Sequence, residues 1–274
     1  MVKPRSAACN PLANPGQTRE LAPMTYFVTT SDGTDIAYDC TGDGPPVVLI
    51  HGFGANRKIT WGNTGWYQTI ARAGRKLIAI DCRGHGESDK PHAPADYAEG
   101  RMATDIIAVL AALEIPETDL VGYSMGGQLA LRLMFDAPGR VRRAVLGGIG
   151  ENYFRMSKES VETIARGLAA KDASTVTDPL AREFRLFCEK AGDDLLAMAA
   201  CMRRPRRNLS AEELRALPQK TLVVSGDEDA MAGSPEPLAK NIGAGEMLII
   251  PKRNHHSTVG DRTFKDAAMA FLAS

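Results

Sequence analysis

Tyr26 to Thr30 and Thr34 to Cys40 bracket Ser31-Asp-Gly33, a turn signal, and predict a leading β-hairpin. The pattern then changes. Pro46-Val-Val-Leu-Ile50, Lys76-Leu-Ile-Ala-Ile80, Leu120-Val-Gly122 and Ala144-Val-Leu146 are short, continuous apolar runs rich in β-branched residues. Such runs predict strands buried on both faces. Segments of helical length separate them: Trp66 to Arg72, Ala98 to Leu113, and Gln128 to Ala137, the last ending near Pro138-Gly139. Within the second, Met102, Ile106, Val109, Leu110 and Leu113 recur at helical spacing and form one apolar stripe. Strand-helix-strand alternation of this kind implies right-handed crossovers and a parallel sheet covered on both sides.

From Glu151 to Leu217 the rhythm breaks; the segments read as helical and no strand candidate stands out. Alternation resumes with the strand Thr221 to Val224, a helix from Pro235 to Ile242, the strand Met247 to Ile250 and a final helix from Arg262 to Leu272. The expected organisation is a two-part α/β core, residues 24–150 and 218–274, interrupted by a helical cap insertion at 151–217. An independent second domain fits less well, because strands on both sides must complete one sheet. Residues 1–23 carry Pro, Asn, Gly, Arg and Thr without the apolar core of a signal peptide. They are expected to be a disordered extension, or to precede a true start at Met24. The "SAAC" before Asn10 has the composition of a lipoprotein cleavage box but lacks that apolar core as well. No apolar run approaches the roughly 18 residues needed to cross a bilayer.

Composition narrows the partners. At 274 residues and 44% hydrophobic content the chain can bury one large core. With 33 basic and 33 acidic residues, no overall field draws it to nucleic acid or to an anionic membrane surface, which leaves a small neutral substrate. Five scattered cysteines (Cys9, Cys40, Cys82, Cys188, Cys201) form no C-x-x-C pair, so no zinc or redox site is indicated and a reduced, cytoplasmic compartment is expected. Nothing calls for a cofactor or a metal.

"GYSMGG", residues 122–127, carries the candidate chemistry. Gly122-x-Ser124-x-Gly126 fits a strand that turns sharply into a helix, where crowding permits only small neighbours and pushes the serine hydroxyl out at the sheet's C-terminal edge. A serine hydroxyl needs a base, and the base an orienting carboxylate. In this architecture the chain order is nucleophile, acid, base. Of the five histidines, His51, His85, His92, His255 and His256, that order leaves His255 and His256. The acid should follow the preceding strand, where "SGDEDA" supplies Asp227, Glu228 and Asp229. The oxyanion of a tetrahedral intermediate needs two preorganised N–H donors; the N–H of Met125, at the start of its helix, is one.

These residues resemble the α/β-hydrolase superfamily over nearly the whole chain, from about Tyr26 to Leu272. Four stretches carry the likeness: His51-Gly-Phe-Gly54, Asp81-Cys-Arg-Gly-His-Gly-Glu-Ser88, Gly122-Tyr-Ser-Met-Gly126, and Gly226-x-x-Asp229 with Pro251-x-x-x-His255. The resemblance implies a mostly parallel sheet of about eight strands with helices on both faces and a small helical cap. It implies Ser124 as nucleophile, Asp229 as the orienting acid, His255 as general base, and the N–H of Phe53 as the second oxyanion donor. Registration in the family selects Asp229 over Asp227 and His255 over His256. The family loop commonly reads Pro-Gly-x-Gly-His, whereas this one reads Pro251-Lys-Arg-Asn-His. His51 is expected to hold its loop, Asp81, Arg83 and His85 to form a scaffold, and His92 to be exposed.

A serine nucleophile argues against dehalogenation and epoxide opening, which relatives perform with aspartate at this position. It supports acyl transfer, with carboxylic esters as the expected substrates. Lactones, thioesters and the carbon–carbon bonds of vinylogous diketones are handled by similar serine enzymes, and the triad alone does not choose among them. From another class, the same fold serves as a non-catalytic ligand-binding receptor; a cofactorless lyase or perhydrolase is a third. Phe154, Met156, Phe184, Leu186, Phe187, Leu195, Leu196, Met198 and Met202 supply the cap's apolar surface, mostly for packing. Arg203-Arg-Pro-Arg-Arg207 reads as a solvated face of the cap, with attraction of an acidic substrate or partner as the alternative.

Overall fold

The continuous apolar runs become strands because each serves two cores at once. The computed structural model describes residues 24–155 and 157–274; the expectations placed on residues 1–23, Cys9 among them, and on Met156 lie outside the described residues. Eight strands form one sheet: β1 (Thr25–Thr29), β2 (Asp35–Thr41), β3 (Pro46–Ile50), β4 (Lys76–Ile80), β5 (Thr118–Tyr123), β6 (Val141–Gly147), β7 (Lys220–Gly226) and β8 (Gly245–Ile250). Their order is β1-β2-β4-β3-β5-β6-β7-β8. The hairpin strands β1 and β2 pair antiparallel, as do β2 and β4; every other pairing is parallel. In β3, Val48 and Ile50 enter one apolar cluster and Val47 and Leu49 another; Ile78 and Ile80 of β4 part from Leu77 and Ala79 in the same way. Only a strand covered on both faces uses apolar side chains at successive positions like this.

The helices are α1 (Trp66–Arg72), α2 (Glu99–Ala112), α3 (Met125–Asp136), α4 (Lys158–Ala169), α5 (Pro179–Ala191), α6 (Leu195–Met202), α7 (Ala211–Arg215), α8 (Glu236–Asn241), α9 (His255–Thr258) and α10 (Arg262–Ala273). On one face, Met102, Ile106, Val109 and Leu110 of α2 pack with Leu129, Leu133 and Met134 of α3. On the other, Trp66 and Ile70 of α1 meet Phe264, Ala268 and Leu272 of α10. The fold is thus a mostly parallel eight-stranded sheet with helices on both faces. The third helix starts at Met125 rather than at the predicted Gln128, because two poor helix formers, Gly126 and Gly127, are taken into its first turn.

Between β6 and β7 the described residues carry helices and no strand. Asp178 caps α5 ahead of Pro179 at its first position, Gly192 ends it at φ 76°, and Asp194 caps α6. Ile164, Leu168, Cys188, Ala197 and Met198 form this segment's own cluster, and Phe53 of the loop after β3 packs against both it and the main core. Among the described cysteines, Cys82, Cys188 and Cys201 are free and buried.

Candidate active site

Parallel strands deliver their C-terminal loops to one edge, and the loops after β3, β5, β7 and β8 all arrive there. Ser124, between β5 and α3, sits at φ 53°, ψ −113°. A non-glycine residue held in such a region costs about 1–3 kcal/mol and persists only where its surroundings over-determine it. They do so here through backbone proximity. A Cβ on Gly122 would stand 2.3 Å from the Gly126 carbonyl oxygen, and one on Gly126 would stand 2.0 Å from that of Ile50. The Ser124 N–H donates to the Gly147 carbonyl at 2.8 Å, and its own carbonyl accepts from Gly127 and Gln128 at 2.9 and 3.2 Å. Met125 is the first residue of α3, so its N–H has no acceptor within the helix.

His255 opens α9. Its Nδ1 lies 2.9 Å from Asp229 Oδ2 and 3.0 Å from Oδ1. Asp229 is 3% exposed, and its Oδ1 also accepts from the N–H groups of Met231 (3.1 Å) and Ala232 (2.8 Å). These donors fix the carboxylate plane and present Oδ2 to the imidazole. The neighbouring candidates do other work: Asp227 is exposed and accepts from the Lys252 N–H at 2.7 Å, and Glu228 is exposed. His256 faces the Phe187 ring at 5.6 Å instead of a carboxylate.

The β8–α9 loop lacks the family's glycines yet keeps a left-handed residue, Lys252 at φ 56°, whose N–H Asp227 secures. Asn254 stands in place of the second glycine and caps α9 by accepting from His256 and Ser257, while Ser257 Oγ accepts from the Asn254 N–H at 3.0 Å. Tyr123 donates its hydroxyl to the His255 carbonyl at 2.5 Å. Tyr123 and Asn254 are therefore positioning residues that sequence reasoning passed over. The Asn-x-x-Ser spacing of a capping box was the available signal for Asn254.

On the loop after β3, His51 is fully buried, donates from Nδ1 to the Gly52 carbonyl at 2.7 Å and accepts the Cys82 N–H at Nε2 at 2.9 Å. Burial holds its pKa below the ordinary histidine range, and that of His85 well below it, so both rings are neutral pieces of structure. Asp81 accepts from the N–H groups of Arg57 and Glu87 at 2.8 Å each and pairs with the Arg57 guanidinium, which also meets Asp39 at 2.8 Å. Arg83 bonds Asp105 at 2.5 and 2.7 Å. His92 is half exposed and lies 2.9 Å from Asp194.

Two cavities meet at Ser124. The larger, of about 640 Å³, is lined by Phe53, Ser124, Met125 and His255 together with Tyr153, Phe184 and Met202. The smaller, of about 300 Å³, is lined by Ser124, Tyr123, His255, Ile59, Phe187 and Val259. Residues 151–217 supply much of the wall opposite the sheet. Ser124, His255, Phe53 and Met125 thus line one concave, largely apolar space, with Asp229 buried behind His255. Among the described residues, no group of three or more His, Cys, Asp or Glu side chains is set to hold a metal ion.

Comparison with known proteins adds four findings. A family model described as alpha/beta hydrolase fold matches residues 45–230. The 2-hydroxymuconate semialdehyde hydrolase of Pseudomonas putida is 37% identical over 205 residues, spanning 69% of this chain and 72% of that protein. Among solved structures, an esterase from Exiguobacterium antarcticum covers 92% of this chain and 100% of its own at a TM-score of 0.74 and 23% identity, a likeness of fold. A meta-cleavage product hydrolase from Pseudomonas fluorescens IP01 covers 90% and 97% at a TM-score of 0.64 and 25% identity.

Proposed function

The chain belongs to the α/β-hydrolase family, and on that premise we propose that it is a serine hydrolase cleaving carboxylic esters of small apolar substrates through an acyl-enzyme. One observation carries the reading: Ser124, held in a strained turn, lines the same cavity as a histidine whose Nδ1 lies 2.9 Å from a buried carboxylate. In this reading Asp229 keeps the Nδ1–H tautomer of His255, leaving Nε2 to take the proton of Ser124 as Oγ attacks the carbonyl carbon. The resulting oxyanion is met by the N–H groups of Met125 and Phe53, and each such donor is worth about 10²–10³ in rate. His255 then protonates the leaving alcohol, activates water against the acyl-enzyme, and returns to its starting state. Residues 151–217 form a cap over a two-part core of residues 24–150 and 218–274, and the cap walls decide which acyl group fits.

A second reading, hydrolysis of a carbon–carbon bond on the same triad, is favoured by the 37% identity to a protein named for 2-hydroxymuconate semialdehyde, a compound with acid, enol and aldehyde groups but no ester. The leaving group is then a carbon that must be protonated. A panel of p-nitrophenyl esters of increasing acyl length, run beside a lactone, a thioester and a 2-hydroxy-6-oxo-dienoate, separates the two. Ester turnover that falls by several orders of magnitude in a folded Ser124→Ala protein is the expected result. Near wild-type turnover in that variant overturns the mechanism, and turnover of the dienoate alone selects the second reading. Ligand binding without any turnover selects a receptor.

A further inference from the structure

The basic run Arg203-Arg-Pro-Arg-Arg207 comes apart in the folded chain. Its outer members meet surface acids: Arg203 pairs with Glu162 at 2.8 Å, and Arg207 pairs with Glu213. Its inner members turn inward, and both line the cavity of about 640 Å³ that holds Ser124 and His255. Arg204 is only 4% exposed; its terminal nitrogens donate to Gln128 Oε1 at 3.0 Å and to the Cys201 carbonyl at 3.1 Å. Arg206 donates to the Met202 carbonyl at 2.7 Å. Among the described residues neither guanidinium forms an ion pair, and the Nε of each is buried without a hydrogen-bond partner.

The charges nearby do not cancel two guanidinium groups. The carbonyls they bond end α6, whose C-terminus carries roughly half a negative charge. Glu99 is the acid whose field reaches Arg206, yet its carboxylate is spent on the Arg207 N–H at 3.2 Å. Glu183 and Glu228 line the same cavity without bonding either arginine. Burial, and then the like charge of Arg204, push Arg206 down to about 9, which leaves it charged at neutral pH. A cationic pair, one member buried and the other half-buried, each with a buried Nε that has no partner, and opening onto a reaction cavity, is a site built for an anion. Gln128, which holds Arg204, follows Ser124 by one helical turn, ~6 Å along the axis.

We propose that Arg204 and Arg206 form a carboxylate subsite, so that the preferred substrate carries a free carboxylate several bonds from the carbonyl that Ser124 attacks. The apolar remainder of that substrate occupies the smaller cavity across Ser124. The assignment rests on the acyl-transfer reading for its chemistry but not for its binding, and the two are tested separately. Calorimetry on full-length Ser124→Ala protein compares adipate with its uncharged dimethyl ester. Adipate should bind at least about 10-fold more tightly, and Arg206→Gln should weaken it by about 10- to 100-fold, down to the level of the diester. Arg204→Lys, which keeps the charge but not the forked geometry, should lose part of the preference. Equal binding of the two probes, no adipate binding at millimolar concentration, or an unchanged adipate affinity in folded Arg206→Gln overturns the subsite. The first comparison decides alone if the arginine variants do not fold. In wild-type protein, mono-p-nitrophenyl adipate should then exceed p-nitrophenyl hexanoate in kcat/KM through a lower KM. Retained adipate binding with no hydrolysis of either ester would sink the acyl-transfer reading and leave the subsite standing.

Discussion

Replacing Asp229 by Asn is the most informative single change, because the structure dictates which way the new amide must point. Oδ1 of Asp229 already accepts two backbone N–H groups, from Met231 at 3.1 Å and Ala232 at 2.8 Å. An amide NH₂ at that position would confront two donors, so the Asn carbonyl must take the Oδ1 place. The NH₂ then falls where Oδ2 lies, 2.9 Å from His255 Nδ1. There it donates to Nδ1, drives the imidazole proton onto Nε2, and removes the lone pair that would accept from Ser124. A wrong tautomer with intact geometry costs about 10⁴ in kcat in a serine triad, equivalent to about 5.4 kcal/mol of transition-state stabilisation. The comparison variant is Asp227→Asn. Its Oδ1 accepts only the Lys252 N–H, which an Asn carbonyl can still do, so kcat should stay within about 10-fold of wild type. Stopped-flow or steady-state hydrolysis of an aryl ester, with melting temperatures as a fold control, measures both. Asp229→Asn keeping more than about a tenth of wild-type kcat, or Asp227→Asn proving the more damaging, would refute the tautomer argument.

Two further outcomes follow from strain and burial. Ser124→Gly removes a side chain from φ 53°, so it should abolish turnover yet stabilise the fold by up to about 2 kcal/mol, read as a rise of several degrees in Tm; an unchanged or lower Tm contradicts the strain. Asp193, between α5 and α6, has an Oδ2 buried without a partner, and burial pushes its pKa up to about 7. The folded state therefore holds this proton more tightly than the unfolded chain does. The corresponding stability is complete below about pH 4 and lost as pH rises toward 7. Asp193→Asn should accordingly melt higher than wild type at pH 8 and match it near pH 4; parallel melting curves at both pH values count against this.

The sheet was legible because strands with two apolar faces leave an unambiguous trace: Val47 to Ile50 and Leu77 to Ile80 carry no polar side chain on either face. The serine turn was legible because its glycines answer to backbone contact, not to preference. Chain order reduced the acid to three residues and the base to two, but their pairing depends on burial, which a run such as Asp227-Glu228-Asp229 does not display. The start of α3 escaped prediction because helix propensity penalises the two glycines that the turn requires. The short α9 was masked by its length. The run at 203–207 misled in two of its four arginines: Pro205 interrupts any helical period, so nothing in the one-dimensional pattern separates the arginines that face Glu162 and Glu213 from the two that face the cavity.

Phe53 joins parts of the molecule that a substrate would otherwise engage independently. Its ring lies 5.8 Å from both His85 on the core side and Phe184 on α5, while its backbone belongs to the turn beside Ser124. Pocket size and reaction geometry are therefore not separable variables in this protein. Enlarging the chamber at Phe184 to admit a bulkier acyl group would also unseat the ring that steadies the neighbouring amide, so selectivity and speed must be tuned together, and a library diversified at Phe184 alone is poorly matched to this scaffold without paired diversity at Phe53.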